Sequence, residues 1–209
     1  MVIDKIESIK DAYSFMISMI VPRPVAFITT TSKTGIVNAA PYSYFTGISS
    51  NPPLVCVSIY NKPDNNKKDT LLNIIETGEF CINLTNDKMC RDVTLCGASF
   101  NKDISEIDYT DFNTVACSKI NTVRIKESPA AMELKLTRII NDLGPFSLVI
   151  GEIIAYFVSD EMVNGKTGLF DYQKANIVGR LGGNDYGTVG EIINVPRKKA
   201  SEYKIKKKV

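Results

Sequence analysis

The 209-residue chain contains neither histidine nor tryptophan. Without histidine there can be no Ser-His-Asp triad, no Cys-His nucleophile pair and no His-ligated metal site. Five cysteines stand at positions 56, 81, 90, 96 and 117, an odd number with no CxxC pair. Cys90 and Cys96 are close in sequence, but no set of four ligands forms around them, which argues against structural zinc. The cysteines read instead as reduced thiols, buried as small hydrophobes in a cytoplasmic protein. No apolar run approaches the roughly 20 residues of a membrane-spanning helix. The first 24 residues carry acids throughout and lack a basic segment ahead of a clean apolar stretch, which argues against a secretory signal. Neither GxGxxG opening a helix after a strand nor the Walker A pattern GxxxxGK[ST] occurs, so a Rossmann nicotinamide domain and a P-loop hydrolase lose support. What remains for chemistry is carboxylate, lysine, tyrosine, cysteine or a borrowed cofactor, and the lack of histidine tilts the balance toward the cofactor.

Apolar residues make up 44% of the chain, enough for a sizeable core. No low-complexity linker divides it, so residues 1–195 are expected to form one domain. Residues 196–209 hold seven basic residues and one acid. They carry +6 of a net +2 and leave −4 on the body. Such a tail has the charge to touch nucleic acid or an anionic membrane. The body has no basic stripe with interleaved aromatics, however, and a solvated terminus is the plainer reading. Neither nucleic acid nor membrane is expected as a partner.

Patterning is dominated by strands. Residues 25–31 (VAFITTT) are apolar, aromatic or β-branched, and with residues 36–40 they read as a hairpin closed at Gly35. Residues 54–60 and 79–84 are further strands. In residues 132–140 (MELKLTRII), Met132, Leu134 and Leu136 alternate with Glu133, Lys135 and Thr137, the period of a half-buried antiparallel strand. Residues 122–126 and 146–158 complete the set. A helix is expected over residues 70–77, with Asp69 as N-cap and Gly78 as its stop. Residues 87–98 and 108–116 are also expected to be helical, and residues 41–50 to be irregular. Several strands with inserted helices and no βαβ rhythm predict a mainly β fold, a closed or partly closed barrel.

Three segments could hold a ligand. Lys68, Asp69 and Thr70 place cation, hydroxyl and free backbone N–H groups at a helix start, where a phosphate would be stabilised; ordinary capping beside solvated lysines is the plainer alternative. Residues 38–50 combine small residues (Ala39, Ala40), flat tyrosine faces (Tyr42, Tyr44) and directional polar groups (Asn38, Ser43, Ser49, Ser50), which suits a planar ring as well as it suits a strand end that packs two tyrosines. The glycine-rich stretch from Gly179, with Arg180 and Tyr186, is a tight turn or a ligand-facing loop.

The order and spacing of RPVAFITTTSKTGIVNAAPYSYFTGISSNPPLVCVSI (23–59), KKDTLLNIIETGEFCINL (67–84), ESPAAMELKL (127–136), LVIGEIIAYFVSDEM (148–162) and VGRLGGNDY (178–186) resemble the flavin reductase-like family, which includes the flavoredoxins. The resemblance covers about residues 20 to 190. It implies an FMN-binding split β-barrel of Greek-key type, a homodimer, and flavin in a cleft near the subunit interface. It further implies that Asn38, Ala39, Ala40 and Pro41 lie beside the isoalloxazine ring. Ser43, Tyr44, Ser49 and Ser50 would supply further contacts, Lys68, Asp69 and Thr70 would bind the phosphate, and Arg180 and Tyr186 would cover the flavin. The expected activity is an NAD(P)H-dependent flavin reductase, with NADH or NADPH as donor. The alternatives are a flavoredoxin-like electron carrier serving a redox protein partner and, third, a non-redox binding module using the basic tail. Many relatives carry a histidine or tryptophan near the ring; this chain has neither.

Overall fold

The computed structural model describes residues 8–62 and 66–202. It opens with helix α1 (Ile9–Met19), capped by Ser8, whose hydroxyl accepts the Asp11 N–H at 3.1 Å. The two-residue strand β1 (Arg23–Pro24) follows, then β2 (Ala26–Thr31), β3 (Val37–Tyr42), β4 (Phe45–Ser50) and β5 (Pro53–Tyr60). Helix α2 (Asp69–Thr77) leads into β6 (Glu79–Leu84). A 3₁₀ turn at Asp87–Met89 precedes the short helix α3 (Cys90–Leu95), and β7 (Thr114–Ala116) pairs with β8 (Val123–Ile125). The two longest strands, β9 (Ala130–Leu143) and β10 (Phe146–Val158), form a hairpin, and β11 (Val178–Arg180) and β12 (Tyr186–Thr188) form a second near the C-terminus.

Seven strands make one antiparallel sheet in the order β3-β2-β6-β9-β10-β5-β4. Its two edges are β3 and β4, yet only Ser43 and Tyr44 separate them in sequence. A connection that short spans at most roughly 11 Å from Tyr42 to Phe45. The sheet must therefore curl until its edges meet, joined at that seam by the chain itself. This is a split barrel, the architecture expected. Ser58 N–H donates to the Tyr44 carbonyl at 2.9 Å and pins the crossing point to β5.

One core fills the barrel, drawn from β2, β5, β6, β9 and β10 and closed by Leu71 and Ile74 of α2. Phe80, Ile82, Val57, Ile59 and Leu134 are fully buried there, each burial worth about 1.5–3 kcal/mol. Gly151 is required by this packing: a Cβ on it would stand 2.5 Å from Phe80 Cζ. A second cluster (Val25, Phe27, Ala39, Met89, Val93, Phe112) lies between β2–β3 and α3. Buried polar groups find partners across the chain. Asn83 donates to Phe27 O and Thr29 Oγ1, both at 3.1 Å, and accepts the Ile125 N–H at 2.7 Å, fastening β8 to β2 and β6.

Four local expectations are corrected. Residues 41–50 are not irregular, because β3 runs on through Tyr42 and β4 occupies Phe45–Ser50. Residues 108–116 are not helical; a 3₁₀ turn at Glu106–Tyr109 gives way to β7, since Thr114, Val115 and Ala116 gain a ladder partner in β8. Asp69 is the first residue of α2 and not its cap: Lys68 takes that position, and Asp69 pairs with Lys62 at 3.0 Å. In residues 87–98 only Cys90–Leu95 is α-helical. Gly78 does end α2, in the left-handed conformation (φ 72°) that glycine adopts without strain. Among the described residues no helix is long and apolar enough to cross a membrane, and no cluster of metal-ligating side chains occurs. The final turn at Ala200–Glu202 is exposed; the rest of the basic tail, 203–209, lies outside the described residues.

Candidate active site

Edge strand β3 supplies the floor of the site. Its outward-facing Ala39 N–H donates to Glu106 Oε2 at 2.9 Å. Two residues on, where the next outward N–H would stand, is Pro41, which has none. At Ala39 and Pro41 the edge thus offers no unpaired donor to another strand. The Ala39 methyl points into the core, whereas Ala40, Pro41 and Ser43 face clefts.

Helix α2 points its first turn at the same place. Its N-cap residue, Lys68, makes no side-chain capping hydrogen bond, and a helix start of that kind presents N–H groups and the positive end of its dipole to an anion. Thr70, 1% exposed, stands in that turn. Its Oγ1 accepts from Asn38 Nδ2 at 2.8 Å and from Tyr42 Oη at 3.0 Å. With both acceptor positions taken, the hydroxyl proton is left to donate. Asn38, Ala40, Pro41, Lys68, Asp69 and Thr70 line one pocket together, closed on the far side by the loop 96–100 and Glu106. Burial pushes the Glu106 carboxyl above the usual range, against the hydrogen bond from Ala39. Burial likewise drives the Tyr42 hydroxyl well above an ordinary phenol, with Thr70 opposing.

Two further clefts open from Pro41, Tyr42 and Ser43. One is bounded by Thr94, Arg180 and Tyr186. Arg180 and Tyr186 face each other across β11–β12, with the guanidinium 4.6 Å from the ring centre. Arg180 also donates to Gly183 O and Asn184 O, and the Tyr186 hydroxyl meets Thr94 Oγ1 at 3.1 Å. Arg180 thereby holds the hairpin's turn, and Tyr186 ties the hairpin to α3. The other is a groove of about 860 Å³ bounded by Tyr13, Tyr44, Tyr60 and Phe146, with Lys68 at its rim. That volume is in the range of small-molecule sites, on the order of 300–1,000 Å³. Tyr44 and Phe146 stack at 6.1 Å. The Tyr44 hydroxyl is buried with no partner among the described residues.

Of the thirteen site residues read from the sequence, the fold brings Asn38, Ala40, Pro41, Ser43, Tyr44, Lys68, Asp69, Thr70, Arg180 and Tyr186 to these joined clefts. Ala39 contributes backbone alone, and its amide is already engaged by Glu106. Ser49 and Ser50 stand apart. β4 leads away from the seam, and at about 3.3 Å per residue Ser49 lies roughly 17 Å beyond Tyr44. Both serines are exposed at the β4–β5 turn, where Ser49 Oγ accepts the Asn51 N–H at 3.3 Å. Tyr42 was read from the sequence only as a flat face, and its hydrogen bond to Thr70 was not. Sequence reasoning also missed Glu106, whose partner Ala39 is 67 residues away in sequence; no local pattern marks that contact.

A mainly β split barrel, with an uncapped helix start and an aromatic groove meeting at its seam, defines the class of this protein. Residues 18–176 match the family model described as flavin reductase like domain, and the chain belongs to that family. It is 34% identical to the YwrF protein of Bacillus subtilis over 189 residues, covering 88% of this chain and 92% of that one. Among solved structures, nitrilotriacetate monooxygenase component B from Bacillus cereus superposes with a TM-score of 0.86 at 29% identity, over 93% of this chain and 98% of the other. The 2-nitrobenzoate 2-nitroreductase NbaA of Pseudomonas fluorescens superposes with a TM-score of 0.83 at 30% identity, over 92% and 93%.

Proposed function

We propose that this protein binds FMN in the joined clefts and acts as an NAD(P)H-dependent flavin oxidoreductase. The observation that carries this reading is the doubly accepting Thr70 hydroxyl in the uncapped first turn of α2, beside Lys68 and opening toward an aromatic groove. A phosphate monoester fits the first feature and a planar ring the second. When bound, the flavin supplies the hydride acceptance that no side chain of this chain can provide. The chain's own residues bind and orient. Lys68, the α2 amides and the Thr70 proton neutralise the phosphate. The Lys62–Asp69 pair draws the Asp69 carboxylate away from that anion. Pro41 and Ala40 let a flat ring lie against the backbone, and Tyr44, Tyr60 and Phe146 exclude water from one side. No group here has to act as a general acid or base, so a site without histidine is compatible with the chemistry.

The working unit in this reading is a homodimer. Met19, at 78% exposed, and Tyr156, at 65%, are large apolar surfaces of the kind a second copy covers. Light scattering on the purified protein checks this.

The deciding experiment is the visible spectrum of the tagless protein, with identification of any flavin released by heat, followed by turnover with NADH and NADPH. Bound FMN with rapid turnover is the expected result. FMN with negligible turnover would make the protein an electron carrier of the flavoredoxin kind. A colourless protein that fails to bind added FMN would overturn the reading. Lys68→Ala should weaken FMN binding by about 1.5–3 kcal/mol, the range for a charged hydrogen bond.

A further inference from the structure

Arg23 is 6% exposed, and all its hydrogen bonds go to uncharged oxygens. Nη1 donates to the Ile17 and Ile20 carbonyls at 2.8 and 2.7 Å, and Nη2 to the Leu181 carbonyl at 2.8 Å. Nε donates to Ser43 Oγ at 3.3 Å. No carboxylate pairs with it among the described residues, where the ion pair is Lys62–Asp69. Arginine does not release its proton in proteins, so a full positive charge is buried behind the site. The end of α1 offsets part of the cost, since the Ile17 and Ile20 carbonyls belong to the negative pole of that helix. The net charge remains. A buried cation held by neutral acceptors is an expensive arrangement by itself, and an anion nearby would complete it.

The fourth contact places that charge against the ligand cleft. Ser43 lines both the Arg180–Tyr186 cleft and the aromatic groove. Because its oxygen accepts from Arg23, its own proton is turned elsewhere, toward the open side. The adjoining Tyr44 senses the same charge: burial and Tyr13 push its hydroxyl up, and Arg23 pulls it back down.

We propose that Arg23 is a positioning residue: it makes the Ser43 hydroxyl a donor to whatever occupies the groove, and its unpaired charge favours the reduced flavin there over the oxidised one. The inference rests on the FMN reading. On full reduction near neutral pH the flavin takes up two electrons and one proton, so it gains one negative charge, which is the form a buried cation favours.

The experiment is a dye-coupled reductive titration of the FMN-loaded wild-type protein and of R23K, R23Q and S43A, with FMN dissociation constants measured for each. R23Q should lose at least tenfold in preference for reduced over oxidised FMN, which for a two-electron couple is about 30 mV. R23K should retain most of it, because it keeps the charge. S43A should fall between, and it leaves the three carbonyl contacts of Arg23 intact. A purely structural Arg23 would lower stability or affinity for both redox states alike and leave the potential in place. Should R23Q fail to fold, S43A decides alone. Wild-type potentials in the folded variants overturn the inference, whereas a wild-type protein that binds no FMN overturns the functional reading beneath it.

Discussion

The side-chain amide of Asn38 donates to Thr70 Oγ1 across 2.8 Å and so ties the edge of the barrel to the first turn of α2. The two residues are 32 apart in sequence, and the contact is made by the chain's own side chains without any ligand. Tyr42 adds a second donor to the same oxygen.

Thr70→Val keeps the shape of the side chain and removes the shared acceptor. Two donors, one of them on a residue only 8% exposed, are then left without their partner. The expected cost is about 1–3 kcal/mol. Urea unfolding of the flavin-free protein should show a lower midpoint with an unchanged slope. The FMN affinity of the variant should fall as well, since the donating hydroxyl is lost.

Glu106 makes stability depend on pH with a defined sign. Burial raises its folded-state value above the ordinary 4.5, so the folded protein binds more protons than the unfolded chain over that interval. Stability contributed by this group is full below the ordinary glutamate range and is lost as pH rises through the higher folded value. The groups facing it include Ala39 N–H, Lys68, Asp69, the Cys96 thiol and the Tyr42 hydroxyl. Glu106→Gln keeps an acceptor for Ala39 and should flatten this part of a stability-against-pH curve taken from pH 4 to 8. A curve unchanged from wild type would show that Glu106 does not carry the slope.

Two thiols should be silent in the native protein. The neighbouring Cys117 thiol, then burial, holds Cys81 well above the ordinary thiol range. Burial, reinforced by Glu106 and Asp92, pushes Cys96 up to about 12. Only the thiolate attacks alkylating reagents. Iodoacetamide at pH 8 followed by peptide mapping should leave Cys81 and Cys96 unmodified natively and label both after denaturation.

Gly151→Ala overfills the barrel, because the new Cβ meets Phe80 Cζ at 2.5 Å and Cε1 at 2.9 Å. The expected loss is about 1–3 kcal/mol. Phe80→Leu in the same chain should recover part of it, and the coupling can be read from a double-mutant cycle in urea. Strict additivity of the two changes would mean that the contact does not limit the packing.

How much was legible in the sequence varies with the range of the interaction. The strand at residues 132–140 was plain because its alternation is local and one face is buried whatever it packs on. The end of α2 was equally plain, since a left-handed Gly78 is a property of a single residue. The start of α2 was displaced by one residue because Lys62, from across the loop, recruits Asp69 away from capping. The strand β4 was invisible. Thr46, Gly47, Ser49 and Ser50 give no apolar period, and only pairing with β5 makes them extended. The same strand carries Ser49 and Ser50 away from the seam to which Ser43 and Tyr44 belong, although only five residues separate Ser43 from Ser49.

The sequence by itself narrowed the class of chemistry, since a chain with no histidine excludes His-based triads and His-ligated metals and tilts the balance toward a borrowed cofactor. It also determined the main strands and the stop of α2 at Gly78. Tertiary structure decided the rest. It rolled the sheet until β3 and β4 met, set Glu106 on the Ala39 amide, and buried Arg23 behind Ser43. Each of these depends on contacts between residues far apart in the chain, and their energies arise only when the core closes and removes water from both partners.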